Sequence, residues 1–230
     1  MSGDAPAAEV IVVDGPDALT YLDSQCTQDL SGLVVGAELM TFLLDPTGTI
    51  VAVALVRRTT DDALALTVPR GTAARAVARL DRFAIRADLV VHAPVPLAAA
   101  SPFDDLERID AGIPGAAELA RDLVPHAVGA PLRERCVSFT KGCYTGQELV
   151  ARMQARGATP PYVLRGLDAE APIAPGDPVG DPAFDGSVTS VVAAPGTEGF
   201  LALCVLHRRD AAGPTIEVRT GSGVVVARLR

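Results

Sequence analysis

The chain has 230 residues, of which 49% are hydrophobic and 21% charged, and its formal net charge is −8. That composition is globular and excludes intrinsic disorder, and the length allows one large domain or two small ones with a full core. The arginines are scattered and no basic run appears, which argues against direct nucleic-acid binding, although a small basic pocket for an anionic ligand stays compatible with the sequence.

In chain order, residues 1–7 are small and polar and predict a frayed end. Ala8 to Val13 reads as a strand, Gly15-Pro16-Asp17 as a turn, and Ala18 to Gln25 as a short helix. Two apolar runs, Glu38 to Asp45 and Thr49 to Arg58, flank Pro46-Thr47-Gly48 and predict a hairpin. Ala63 to Val68 is a third strand of this type. Ala74, Val77, Ala78, Leu80 and Phe83 recur at helical spacing and predict a helix over Gly71 to Phe83, followed by a strand over Ala87 to His92. Ala93 to Pro131 is rich in Pro and Gly and reads as a connector with one short helix around Ala116 to Arg121. Gly146 to Arg156 is helical, with Gly157 as its stop. Thr159-Pro160-Pro161 then marks a boundary. Beyond it lie short β-rich segments, Tyr162–Leu167, Ser187–Ala194, Phe200–His207, Thr215–Arg219 and Val224–Leu229, in the pattern of a small barrel or sandwich. The expected architecture is α+β, with an α+β domain over 1–158 and a small C-terminal β-barrel over 159–230.

The N-terminus carries no basic segment followed by a long apolar one, and the longest apolar run, Ile50 to Val56, is too short for a bilayer. A cytoplasmic location without a membrane association is expected. The four cysteines, Cys26, Cys136, Cys143 and Cys204, are then expected to stay reduced. Their spacing matches no zinc site, so no metal site is assigned.

Residues 140–148 carry the chemistry. Lys141 is the single lysine beside 19 arginines. Where arginine supplies nearly every positive charge, a lone lysine points to a need for an amine. Cys143 lies two residues on, just ahead of a helix start, and both the ammonium and the helix terminus favour a thiolate. Thr145 and Glu148 fit a capping box, and Glu148 and Arg152 an i,i+4 pair. Gly142 and Gly146 leave room for a ligand to approach the backbone. The alternative is a capped helix in which Cys143 is a small buried apolar residue. Asp110, within Arg108-Ile109-Asp110-Ala111-Gly112, is a second candidate that can accept from paired N–H donors of a heterocycle; a salt bridge or a helix cap is its alternative. His92, His126 and His207 are read as surface or structural.

The run from Val137 to Arg152, Val-Ser-Phe-Thr-Lys-Gly-Cys-Tyr-Thr-Gly-Gln-Glu-Leu-Val-Ala-Arg, resembles the signature of the YgfZ family of folate-binding proteins. Tyr21 to Asp29 is similar to that family's early helix and following loop. Pro175-Gly176-Asp177, Gly186 to Ser190 and Leu201-Ala202-Leu203 resemble the C-terminal barrel of glycine-cleavage T-proteins, the wider superfamily. The resemblance implies a T-protein-like, tetrahydrofolate-binding α/β core, shortened in the middle, and a β-barrel. It implies an accessory protein supporting assembly or repair of iron–sulfur clusters in client enzymes, with folate and those clients as partners. In that frame Cys143 and Lys141 are the working pair, and Asp110, Tyr144, Gln147, Glu148, Arg152, Thr27 and Asp29 bind the cofactor. Asp110 stands where the superfamily usually has a Glu that holds the pterin. Transferases of the superfamily carry a catalytic Asp just after a Gly-rich hairpin turn, and Gly48 to Val53 has no acid. This favours an accessory role over the alternative, a folate-dependent aminomethyltransferase.

Overall fold

The computed structural model describes residues 7–97 and 100–230; of the expected frayed end, residues 1–6 lie outside the described residues. The first sheet contains β1 (Ala8–Asp14), β2 (Glu38–Leu44), β3 (Ile50–Arg58), β4 (Ala63–Pro69), β5 (Val90–Val91) and β6 (Val95–Leu97). Its path is β2-β3-β4-β1-β5, with β6 also paired to β1, and every pairing is antiparallel.

Both faces of this sheet are covered, which explains why β3 is an unbroken apolar run rather than an alternating one. One face carries Ile11, Val13, Leu43, Ala52, Ala54 and Leu64, and packs with Leu22 of α1 (Ala18–Gln25) and Ala76 and Leu80 of α2 (Ala73–Phe83). The opposite face, through Met40, Phe42, Leu44 and Val53, packs with the connector and with the second sheet.

The connector is more ordered than its composition suggests. It holds α3 (Asp105–Asp110), α4 (Ala116–Leu119), a 3-10 turn at Pro125–Ala127 and α5 (Ala130–Cys136). Pro131, which ends the expected connector, sits in the first turn of α5, where a missing N–H costs nothing. The strand expected over Ala87 to His92 contracts to β5. Helix α6 (Gln147–Arg156) ends at Gly157, which adopts the left-handed conformation at φ 57°.

The second sheet contains β7 (Tyr162–Ala169), β8 (Ser187–Ala193), β9 (Phe200–His207), β10 (Thr215–Thr220) and β11 (Gly223–Leu229), in the order β10-β11-β7-β9-β8. Its edge strands do not pair with each other. The segment Pro178–Val179 touches both, through bridges Pro178↔Ser187 and Val179↔Val218. Leu164, Leu203 and Val205 of this sheet join the same core as Phe42 and Val53 of the first. A buried ion pair in the connector also ties it to the second sheet. Arg108 of α3 meets Glu118 of α4 at 3.1 Å and donates to Ser190 of β8 at 3.0 Å. Glu118, fully buried, also accepts from Gly115 N at 2.7 Å and from Ser190 Oγ at 2.5 Å.

Candidate functional site: a thiol loop mounted on the end of α1

Helix α1 leaves carbonyls at its C-terminal end that need partners. The segment between α5 and α6 supplies them. Thr145 N donates to Ser24 O at 3.2 Å, and Lys141 Nζ donates to Asp23 O at 2.6 Å. The same ammonium reaches Asp23 Oδ1 at 2.9 Å, Gln28 O at 2.8 Å and Cys26 O at 3.2 Å. Its side chain is 2% exposed. An ammonium has three donors; here they face four oxygens, three of them backbone. A cation at the negative end of a helix is also favoured by the helix dipole.

The mount continues on either side. Thr27, buried, donates to Cys136 O at 2.5 Å and accepts from Phe42 N at 3.0 Å, and Ser138 N donates to Thr27 O at 2.9 Å. Gln28 Nε2 donates to Arg135 O at 2.9 Å. Buried Arg79 of α2 donates to Leu44 O and to Gln25 Oε1, at 2.8 and 2.7 Å; Gln25 Oε1 also accepts from Thr145 Oγ1 at 3.3 Å. Burial holds the Arg79 pKa below its ordinary value, partly opposed by Tyr21, Cys26 and Asp45.

On this frame Cys143 is exposed, whereas Cys26, Cys136 and Cys204 are buried and all four are free thiols. Burial pushes each of those three thiols up to about 12. The amine expected beside Cys143 is turned instead into the end of α1. Tyr144 packs against the core half-buried, its ring 5.7 Å from Lys141 Nζ, and burial raises its hydroxyl to about 12.

The start of α6 differs from the expected capping box. The N-cap is Gly146 at φ 83°, with no side-chain cap; Thr145 is drawn away to Gln25, and Gln147 Oε1 accepts from Tyr144 N at 3.2 Å. Gly146 also faces protein rather than ligand. A Cβ there would lie 2.5 Å from Asp45 O and 3.3 Å from Gly48 Cα, so the turn between β2 and β3 packs backbone to backbone on the helix start. Gly142, by contrast, opens to free space. Glu148 and Arg152 are both exposed, and no ion pair joins them among the described residues. Asp29 is exposed; hydrogen bonds from the Ser31 hydroxyl and amide, at 2.6 and 2.9 Å, hold its carboxyl below the usual range.

Asp110 is elsewhere. At the end of α3 it accepts from Arg230 Nη1 at 2.7 Å, and Arg230 Nε lies 2.9 Å from Asp168 Oδ1. Asp110 and Arg230 line two adjoining cavities, and neither Cys143 nor Lys141 lines either one. The structure therefore brings Lys141, Tyr144, Thr27, Cys143 and Gln147 into one neighbourhood and leaves Asp110 in another. Asp23, Gln25 and Arg79 belong to the mount and carried no signal of their own; the unusual Tyr21 to Asp29 stretch was the available clue to Asp23 and Gln25. Among the described residues no group of three or more His, Cys, Asp or Glu could hold a metal ion, and no helix is long and apolar enough to cross a membrane.

Comparison with known proteins adds a fold. No family model matches the chain. An uncharacterized protein of Haemophilus influenzae is 26% identical over 188 residues, 65% of this chain and 67% of that protein. The crystal structure of the glycine cleavage system aminomethyltransferase T from Bartonella henselae superposes with a TM-score of 0.66 at 16% identity, covering 97% of this chain and 82% of the other. The chain has a T-protein-like fold.

Proposed function

We propose that this chain is a tetrahydrofolate-binding accessory protein that supports assembly or repair of iron–sulfur enzymes, with Cys143 as its working thiol. The observation that carries the reading is the contrast among cysteines: three are sealed in the core, and the fourth is exposed on a loop held by the four bonds of Lys141. An exposed thiol on a preorganised loop can engage a soft metal centre or an electrophile without ordering the loop first. In this reading Lys141 acts through the loop's position. Tyr144, Gln147, Glu148, Arg152, Asp29 and Thr27, on and beside the thiol loop, are the proposed folate contacts, and Asp110, in its separate neighbourhood, is the proposed pterin contact. The second sheet works as the barrel-like half of the pair, in a cytoplasmic protein whose partners are folate and iron–sulfur clients.

The T-protein-like fold favours a second reading, aminomethyl transfer on folate. Against it, no carboxylate follows Gly48 along β3, and Asp45 before the turn has its Oδ1 taken by Thr47 N, Thr47 Oγ1 and Thr49 N, at 2.9, 2.7 and 3.0 Å. One oxygen of Asp45 is thus committed to shaping the turn, and the strand after the turn carries no acid to meet a reacting amine.

Calorimetric titration with tetrahydrofolate should give a saturable heat. Cys143→Ser should retain that heat and lose support of iron–sulfur enzymes in cells. No binding at millimolar ligand removes the folate part; full support by Cys143→Ser removes the thiol. Turnover with an aminomethyl-lipoyl carrier would establish the second reading in place of the first.

A further inference from the structure

Beneath the far end of α6 lies a cavity of about 530 Å³, bounded by the end of α3, the start of α5, β7 and Arg230. Gln154 of α6 marks the place, because its Oε1 lies 3.3 Å from His126 Nε2 in the cavity wall. Gln154 is seven residues along the helix from Gln147, about 10 Å from the start of α6.

The charge in this wall runs against that of the chain. Arg133, Arg165 and Arg230 contribute to it, and its one carboxylate is Asp110. Arg230 is already matched by Asp110 and Asp168. Arg165 has one bond, Nη1 to the Leu164 carbonyl at 2.9 Å, and meets no carboxylate among the described residues. The Arg133 side chain has no ion pair or hydrogen bond among the described residues, and its Nε is sealed from water. His126 Nδ1 is sealed and unpartnered in the same way. Burial lowers the His126 pKa, against the Gln154 hydrogen bond, and the positive charge of Arg133 lowers it further. Two guanidinium groups without counter-charges thus share a hollow with a histidine that one of them repels. A partly desolvated charge without a partner is costly, and the cost is relieved when an anion enters. Arginine is also the side chain whose planar fork fits an oxyanion.

We propose that this cavity is a binding site for the carboxylate or phosphate group of a small molecule, received by Arg133 and Arg165. The site is set apart from Cys143 but shares Asp110 with the pterin contact proposed above; because neither probe below carries a pterin, its test stands or fails separately from tetrahydrofolate binding.

Three histidines make the test local. Inorganic phosphate and glutarate are titrated separately into the intact chain at constant ionic strength, followed by calorimetry and by the histidine ring proton resonances. Saturable binding of either probe, with the His126 resonance moving while His92 and His207 stay still, supports the site and tells phosphate from carboxylate. Arg133→Met should weaken that binding about tenfold or more, the loss expected for one charge-assisted contact. Without ligand, the variant should melt no lower than the parent, because it removes an uncompensated charge. A response matched by chloride, uniform shifts in all three histidines, or undiminished binding by Arg133→Met would overturn the proposal. So would a marked fall in the ligand-free melting temperature of Arg133→Met, which would give Arg133 a structural task instead.

Discussion

Two buried cations hold this molecule together, and they are not interchangeable. Arg108 joins the connector to the second sheet, and its partners are two carboxylates, a hydroxyl and a carbonyl arrayed around a flat fork. Lys141 joins the thiol loop to the first half of the chain, and three of its four partners are backbone oxygens at and just past the end of α1. A compact ammonium on a flexible stem can enter such a nest of carbonyls, whereas a planar guanidinium has the wrong outline. This accounts physically for the single lysine in a chain with 19 arginines.

The comparison can be broken at its stronger end first. Glu118→Ala leaves Arg108 buried without its main counter-charge, which should cost about 3–5 kcal/mol. Thermal melts should fall by roughly 10 °C, and a fall of under about 2 °C would mean that water already shares the pair. Lys141→Met strands one carboxylate oxygen and three carbonyls where the carboxylate, unlike Glu118, is partly exposed, and about 2–3 kcal/mol should be lost in urea melts. Lys141→Arg should recover little of it, which separates charge from shape. In both lysine variants the amides of Ser138 and Thr145 should exchange faster by hydrogen-exchange NMR, since their acceptors sit on the mount.

The buried and exposed thiols sharpen the contrast further. Cys26, Cys136 and Cys204 have folded-state values raised from about 9 to about 12. The folded state therefore keeps protons that the unfolded chain releases, and stability, complete below pH 9, should decline from pH 9 towards 12. Tyr21 and Tyr144, raised from 10 to about 12, steepen that decline above pH 10. Urea midpoints measured across this range check the sign. The smallest effect belongs to Cys143→Ser, within about 0.5 kcal/mol of the parent. In the native protein it should abolish the one fast reaction with a thiol reagent.

Much of the first sheet was legible in the sequence, because β2 and β3 flank a Pro-Thr-Gly turn and α2 repeats its small apolar residues at helical spacing. The connector was not: its many Pro and Gly residues predicted a connector with a single short helix, but Pro125 and Pro131 sit in first turns, where proline is tolerated. At the thiol loop, Lys141 and Cys143 stood out as residue types, yet the orientation of the amine was hidden. Its carboxylate partner is 118 residues away and its other partners are backbone atoms, which leave no mark in a sequence. The capping box failed for a related reason. Thr145 has two competing uses, and the neighbouring glutamine at the end of α1 claimed it.

The contact between Gly48 and Gly146 ties the fate of two distant positions. A Cβ at Gly146 would meet Asp45 O, Leu44 Cβ and Gly48 Cα, and one at Gly48 would meet Leu149 of α6 and Gly146 O, so a methyl group added at either one strains the seat of the hairpin on the helix start. A turn with no chemistry of its own thus seats the helix start that follows the thiol loop.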